Sequence, residues 1–185
     1  MFFKLNVACI LAALTIFHGQ VQGSPAAANS DGGDLVILST QETPTGTITI
    51  WGVPDGSSSS KRTEADSASV PIKKRQCGTN NVTCSGSHTA DRNACLQLVG
   101  SLSANSGQGV GVAPRSICQT VNGNQCCVSW ANPVSGLTQG QLVNSANDVL
   151  NDCSGNDISG LTRNTNLNGI CTTQCLSNRP SGCAN

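Results

Sequence analysis

The sequence predicts an α+β fold: a disulfide-rich, two-layer α/β sandwich in a split βαββαβ order. An N-terminal signal peptide and a pro-segment that contains a β-hairpin are predicted to precede it. Three observations lead to this prediction. Ten of the eleven cysteines fall in residues 77–183. Two segments in the same region carry apolar residues at helical spacing. Between these segments, Asn122-Gly123 predicts a two-residue hairpin turn.

Residues 1–23 have the pattern of a secretory signal peptide. Lys4 provides the basic start, residues 7–17 form an apolar run, and Gly23 ends the segment at which signal peptidase would cleave. The alternatives are a buried N-terminal helix and a membrane anchor. The apolar run is shorter than the roughly 20 residues that a spanning helix needs. We therefore expect a secreted, extracellular protein without a membrane span.

Residues 24–75 contain no cysteine and form a predicted pro-segment. Two runs of strand-forming residues, 35–38 and 47–51, flank a turn with Pro44 and Gly46 and predict a β-hairpin. A serine-rich, flexible linker follows. The alternatives are that the hairpin is an uncleaved addition to the edge of the main sheet, or that it acts as a chaperone during disulfide formation.

Two basic runs in the linker predict proteolytic processing. They end at Arg62 and at Arg75, and the second lies directly before Gln76 and the first cysteine of the domain. Secretory proteases that recognise paired basic residues cleave exposed linkers of this composition. We therefore expect cleavage at these sites. The alternative is a solvated charge cluster with no role.

Residues 76–185 form the predicted mature domain, and its cysteines predict a disulfide scaffold. An even number of cysteines at this density is typical of small secreted domains. A zinc site is the competing interpretation, but Cys171 and Cys175 have no second pair or histidine cluster to complete four ligands. We therefore expect no metal, no cofactor and five disulfides that stabilise the domain more than its core does. The predicted disulfide cysteines are Cys77, Cys84, Cys95, Cys118, Cys126, Cys127, Cys153, Cys171, Cys175 and Cys183.

Two amphipathic helices and two further strands complete the predicted element order. A short strand near residues 82–84 precedes a helix over about 89–102, which has Asp91 in its first turn. The second helix begins with Thr138 as its cap and carries an apolar face. One last strand is expected within residues 158–173.

The hairpin around Asn122-Gly123 fixes a register in which Cys118 faces Cys127. These two cysteines either pair with each other, close to the lower distance limit for a disulfide, or reach the terminal arms on the same face. Cys126 points to the opposite face of a central strand, because successive side chains in a strand alternate. There it should meet one of two helix cysteines, Cys95 or Cys153.

The charges of the mature domain exclude some classes of partner. The domain contains no lysine and no glutamate, and its four arginines are balanced by four aspartates. Proteins that bind nucleic acid or anionic membranes need a basic surface. We therefore expect no nucleic acid, an extracellular protein or carbohydrate surface as the partner, and a monomer.

The domain offers little that predicts catalysis. His88 is its lone histidine and lies three residues before Asp91, so the two could form an acid–base pair. We expect no catalytic site, because a second histidine and a glutamate are missing. Asp148 and Asp152 share a helix face, where they could act as acid and base or bind calcium. The expected role is a solvated face beside Arg163.

Asn81-Val82-Thr83 is an N-glycosylation sequon in a chain that should enter the secretory pathway. We expect a glycan on Asn81. The alternative is an unused sequon, shielded by its closeness to Cys84.

Four fragments of the mature domain resemble a known family. They are Cys84-Ser85-Gly86-Ser87, Ala94-Cys95-Leu96-Gln97-Leu98, Cys126-Cys127-Val128-Ser129-Trp130 and Asn168-Gly169-Ile170-Cys171. Together they resemble the WD-like domain family of small, cysteine-rich secreted proteins of basidiomycete fungi. The broader pattern is similar to fungal necrosis-inducing effectors and killer toxins. Trp130 is followed by Ala131, so no Trp-Asp pair occurs here.

The resemblance implies a secreted fungal protein without an assigned activity. Our first functional hypothesis is a non-enzymatic effector or toxin-like protein that binds an extracellular surface. The second is a small secreted hydrolase that uses His88. The third is a structural protein of the cell wall or of a surface film.

Overall fold

The computed structural model describes residues 35–54 and 77–183. The elements in chain order are β1 (Val36–Thr43), β2 (Gly46–Gly52), β3 (Asn81–Cys84), β4 (Ala90–Asp91), α1 (Arg92–Ala104), β5 (Pro114–Val121), β6 (Asn124–Trp130), α2 (Gln139–Asp152), β7 (Asp157–Ile158), β8 (Gly160–Leu167) and β9 (Ile170–Ser177). Seven of these strands form one antiparallel sheet in the order β1-β2-β5-β6-β9-β8-β3, and β4 pairs with β7.

The predicted two-layer α/β sandwich in βαββαβ order is wrong, because the protein is mostly β, with a seven-stranded antiparallel sheet and two helices. Two hairpins account for the difference. The β1–β2 hairpin pairs with β5 and adds two strands to the sheet. The segment predicted to hold one last strand forms two, β8 and β9. Asn168 and Gly169, at φ values of 47° and 85°, turn the chain back between them.

The hairpin between β5 and β6 has the predicted register. Asn122 and Gly123 adopt φ values of 50° and 81°, which a type I′ turn requires at both central positions. Cys118 lies opposite Cys127. β6 is the fourth of the seven strands, so its predicted central place in the sheet is confirmed.

The first helix begins later than the sequence predicted. α1 starts at Arg92, and Asp91 is its N-cap, since one carboxylate oxygen accepts a hydrogen bond from the Ala94 amide at 2.9 Å. His88 lies outside the helix, with a φ of 55°. The predicted start of α2 is confirmed. Thr138 is its N-cap, and the Thr138 amide donates to Gln141 Oε1 at 2.9 Å.

Both helices cover the same face of the sheet. α1 packs against β5 and β6, and α2 packs against β3, β8 and β9. Alternation along β6 directs Cys126, Val128 and Trp130 to this covered face, where all three are buried. They form one core with Leu98 of α1 and Leu142 of α2. The helices of 13 and 14 residues in the described ranges are not long and apolar enough to cross a membrane.

Five disulfides tie the domain together, and they settle the alternatives left open by the sequence. Cys118 pairs directly with Cys127, and Cys126 pairs with Cys95, not with Cys153. The remaining bridges are Cys77–Cys171, Cys84–Cys153 and Cys175–Cys183. α1 is therefore fixed covalently to the central strand β6. Likewise, the edge strand β3 is fixed to the C-terminal end of α2.

Candidate binding surface

The sheet face opposite the helices carries the candidate site. We call it the open face and define it by Cys127 and Ser129 of β6, Cys175 of β9 and Leu161 of β8. These side chains share one face because Ser129 lies opposite Cys175, and Cys175 lies opposite Leu161. No helix of the described ranges packs on this side.

The last described residues, 178–183, cross the open face; we call them the C-terminal segment. The Cys175–Cys183 disulfide fixes its end. At its start, the Asn178 amide donates to the carbonyl oxygen of His88 at 2.9 Å, and Gln125 Nε2 donates to the carbonyl oxygen of Asn178 at 3.0 Å. The segment is therefore held at both ends.

Gly182 allows the C-terminal segment to lie close to the sheet. A Cβ atom at this position would sit 2.5 Å from Ser177 Oγ, which is too close for an unstrained contact. It would also sit 3.2 Å from Ser129 Oγ, which is a tight contact. Ser129 is 2% exposed, and its Oγ has no hydrogen-bond partner among the described residues. A larger residue at position 182 would push the segment away from the sheet.

A cleft of about 450 Å³ lies beside this segment, on the open face; we call it the C-terminal cleft. Its lining residues are Ala131, Asn132, Leu161, Arg163, Asn164, Cys171, Thr172, Thr173, Cys175, Gly182 and Cys183. Among these, Arg163 is the one charged side chain, and it forms no ion pair with the described part of the chain. Among the described residues, the lining of the cleft thus offers a guanidinium and two side-chain amides, and it contains no carboxylate.

A distortion of β8 lies at the cleft. The pairing of β8 with β9 shifts between Thr162 and Thr165. Asn164 lies within the shift and adopts a φ of 57°, a left-handed conformation that asparagine tolerates better than most residues. Such bulges redirect side chains and are frequent near binding sites. Here the bulge contributes both Arg163 and Asn164 to the lining.

Arg115 holds the backbone at another side of the cleft. Its Nε donates to the carbonyl oxygen of Trp130 at 3.2 Å, and its Nη2 donates to that of Ala131. Desolvation by burial lowers the pKa of Arg115 from the ordinary value of an arginine. Since Ala131 lines the cleft, Arg115 fixes part of its wall. The sequence contained no signal for this role.

The predicted glycosylation site lies beside the cleft. Asn81 begins the edge strand β3, is exposed, and lies opposite Arg163 in the register with β8. Thr83 of the same sequon lies opposite Leu161. Asn81 and Thr83 therefore point to the open face. Glycosylation of Asn81 stays a prediction.

The two residues weighed as an acid–base pair, His88 and Asp91, make separate contacts in the structure. Asp91 is engaged as the cap of α1, through Ala94. His88 is exposed and lines a smaller cavity of about 110 Å³, together with Ser87 and Arg179. This cavity adjoins the C-terminal cleft, because both are lined by Leu161, Cys175 and Gly182.

One of the two aspartates of α2 that were weighed as an acid–base pair or a calcium site, Asp148, has a local partner. Asn80 Nδ2 donates to Asp148 Oδ2 at 2.8 Å.

Within residues 35–54 and 77–183, no cluster of three or more histidine, cysteine, aspartate or glutamate side chains could hold a metal ion. The predicted processing positions, Gly23, Arg62 and Arg75, lie outside the described residues.

Comparison with known proteins gives one match. A family model described as Fungal WD-like matches residues 57–183. Searches of the curated proteins and of the solved structures found no match to the chain. The matched range covers more than half of the 185 residues and includes all five disulfides, both helices and the C-terminal cleft. The chain therefore belongs to the fungal WD-like family.

Proposed function

We propose that this protein is a non-enzymatic, secreted, cysteine-rich binding protein of the effector or toxin-like type. It acts outside the fungal cell and binds an extracellular carbohydrate or protein surface through the C-terminal cleft. Membership of the fungal WD-like family and the five disulfides support an extracellular protein. The observation that carries the proposal is the guanidinium of Arg163, which forms no ion pair with the described residues, in a cleft whose described lining contains no carboxylate.

The lining chemistry indicates an acceptor-rich ligand. A guanidinium binds a carboxylate through two parallel hydrogen bonds, and asparagine amides donate to hydroxyl and carbonyl oxygens. Arg163, Asn132 and Asn164 together present this combination. The cleft volume of about 450 Å³ is within the range of small-ligand sites. A carbohydrate that carries carboxylates is therefore the first ligand class to test, and an acidic protein surface is the second.

The cleft is built to keep its shape. Cys171, Cys175 and Cys183 line it, and they belong to two disulfides, Cys77–Cys171 and Cys175–Cys183. A wall that is held covalently loses little conformational freedom when a ligand binds, so less of the interaction energy is spent on ordering it. A cleft with a wall held by disulfides is what we expect of a durable protein that binds an extracellular surface.

The test compares two forms of one polymer. We would measure binding of the purified secreted protein to immobilised polyuronate and to its methyl ester, which differ in the carboxylate charge. Binding should favour the polyuronate. Arg163→Ala should weaken it up to about fivefold, because Arg163 is exposed and an ion pair at an exposed position contributes up to about 1 kcal/mol.

The matched control is Asn93→Asp. It changes the net charge by the same amount as Arg163→Ala, at an exposed position of α1, which packs on the other side of the sheet. An acidic residue in the first turn of a helix is compatible with the fold. Asn93→Asp should therefore bind as the wild type does. Equal binding to polymer and ester, or equal losses in both variants, would contradict the proposed site.

A further inference from the structure

We propose that the outer edge of β5 is a strand-acceptor site, and that the β1–β2 hairpin, residues 35–54, is its non-covalent and exchangeable ligand. The hairpin would stay bound after the chain is cut between residues 54 and 77. It would then be the second chain of a two-chain protein. The proposal does not depend on the C-terminal cleft, which lies at β8 and β9, beyond β6 from this edge.

No disulfide connects the hairpin to the rest of the sheet. All five disulfides connect residues within 77–183, and the hairpin contains no cysteine. The family match also begins after it, at residue 57. The basic runs that end at Arg62 and Arg75 lie between the hairpin and the first disulfide. A cut at either run would leave hydrogen bonds and packing as the attachment of the hairpin.

The backbone pairing is extensive. β2 pairs with β5 from Thr47, opposite Thr120, to Gly52, opposite Pro114. Glycines at both ends of β2 permit this approach, since a Cβ atom at Gly46 would meet the carbonyl oxygen of Thr120. A Cβ atom at Gly52 would likewise meet the backbone of residue 113. Without the hairpin, β5 would expose a row of unpaired amides and carbonyls, which is a template for an added strand.

Side chains make the acceptor site selective. Gln119 of β5 is fully buried, and its Nε2 donates to Thr45 Oγ1 in the turn of the hairpin at 2.9 Å. Its Oε1 accepts from Ser101 Oγ of α1 at 3.0 Å. Ile48 of β2 packs against the hydrophobic core. Departure of the hairpin would therefore break the hydrogen bond between Gln119 and Thr45 and uncover part of the core, which favours rebinding of the same sequence.

The experiment starts from the folded, disulfide-intact full chain. We would cut the chain between the hairpin and the first disulfide, either with a protease that cleaves after paired basic residues or at a protease site engineered into Ser57–Ser60. Size-exclusion chromatography and native mass spectrometry then show whether the hairpin fragment stays with the domain in a one-to-one complex. A labelled peptide of residues 35–54, added in excess, should replace the bound fragment.

Two variant peptides make the test specific without altering the folded domain. Ile48→Ser removes the residue that packs against the core, and this peptide should compete at least tenfold less well than the wild-type peptide. Ile37→Ser makes the same change on β1 at a side chain that is 49% exposed, and it should compete as the wild type does. A fragment that leaves on cleavage and does not rebind would overturn the proposal. So would a bound fragment that never exchanges, or equal competition by both variants.

Discussion

The Cys95–Cys126 disulfide gives the sharpest measure of how far covalent links stabilise this domain. It joins α1 to the central strand β6, and both cysteines are 0% exposed. The perturbation is the paired substitution Cys95→Ala and Cys126→Ala, which removes the link without leaving an unpaired thiol. The other four disulfides remain in place.

The expected cost follows from the loop that the disulfide closes. The two cysteines are 31 residues apart, but the Cys118–Cys127 disulfide shortens the path between them. Counted through that bridge, the loop contains about 25 residues, and the chain-entropy relation then gives a stabilisation of about 3.5 kcal/mol. Marginally stable domains have a free energy of unfolding of about 5–15 kcal/mol, so this one link supplies a large share.

The assay is equilibrium unfolding in guanidinium chloride, followed by tryptophan fluorescence. The paired variant should lose about 3.5 kcal/mol of unfolding free energy. The comparison variant is Cys118→Ala with Cys127→Ala, which opens a loop with a separation of 9 residues. Its expected loss is about 2.7 kcal/mol. A loss below about 1 kcal/mol for the first variant, or a larger loss for the second, would refute the view that loop closure sets the stability.

Three further predictions concern the core, the C-terminal segment and the sequon. Leu98→Ala should lower the free energy of unfolding by about 3 kcal/mol and Leu96→Ala by less than about 0.5 kcal/mol in chemical denaturation, because Leu98 is 0% exposed and Leu96 is 49% exposed. Gly182→Ala should lower the free energy of unfolding by about 1–3 kcal/mol and weaken polyuronate binding. Gly107→Ala should leave binding unchanged, because a Cβ atom at position 107 has no neighbour within 4 Å. Asn81→Gln should abolish the mass that endoglycosidase removes from the secreted protein; an unchanged digestion pattern would exclude a glycan there.

Local chemistry explains which parts of the fold could be predicted. Asn122-Gly123 sets the register of β5 and β6, because a two-residue turn leaves one alignment of the strands. The direct pairing of Cys118 with Cys127 follows from that register. The start of α2 at Thr138 was predicted for a similar reason, since a cap acts within one turn of the helix.

The sequence predicted one strand where β8 and β9 form, because most of the buried side chains of β8 are polar. Thr162 and Thr165 are 0% and 2% exposed, and Thr165 Oγ1 donates to Thr162 Oγ1 at 3.0 Å. Ser145 Oγ of α2 donates a hydrogen bond to Thr165 Oγ1 at 3.2 Å. A strand that buries hydroxyl groups within a hydrogen-bonded network has no hydrophobic alternation to detect. The Asn168-Gly169 turn was visible in the sequence, but without a recognisable strand on either side it did not predict a hairpin.

The candidate site depends on long-range structure and could not be predicted. The cleft forms where the C-terminal segment crosses the open face, and spacing alone does not show that Cys183 pairs with Cys175. Arg163 was expected beside the aspartates of α2. In the register of β8 with β3 it lies opposite Asn81, whose side chain points to the open face, away from the helices. The sequence supplied the residue types, and the sheet register supplied their arrangement.

The hairpin and the sequon lie at the two edges of the sheet, and both bear on how the protein avoids pairing with other chains. A sheet edge exposes backbone groups that can recruit other chains, and proteins protect such edges with bulges or bulky groups. At one edge, β1 carries a bulge between Ile37 and Ser39. At the other edge, β3 carries Asn81, where a glycan would block approach. Loss of the hairpin would instead expose the edge of β5, whose residues 116–120 pair with β2 without a shift, so a cut protein that retains its hairpin should resist aggregation better than one stripped of it.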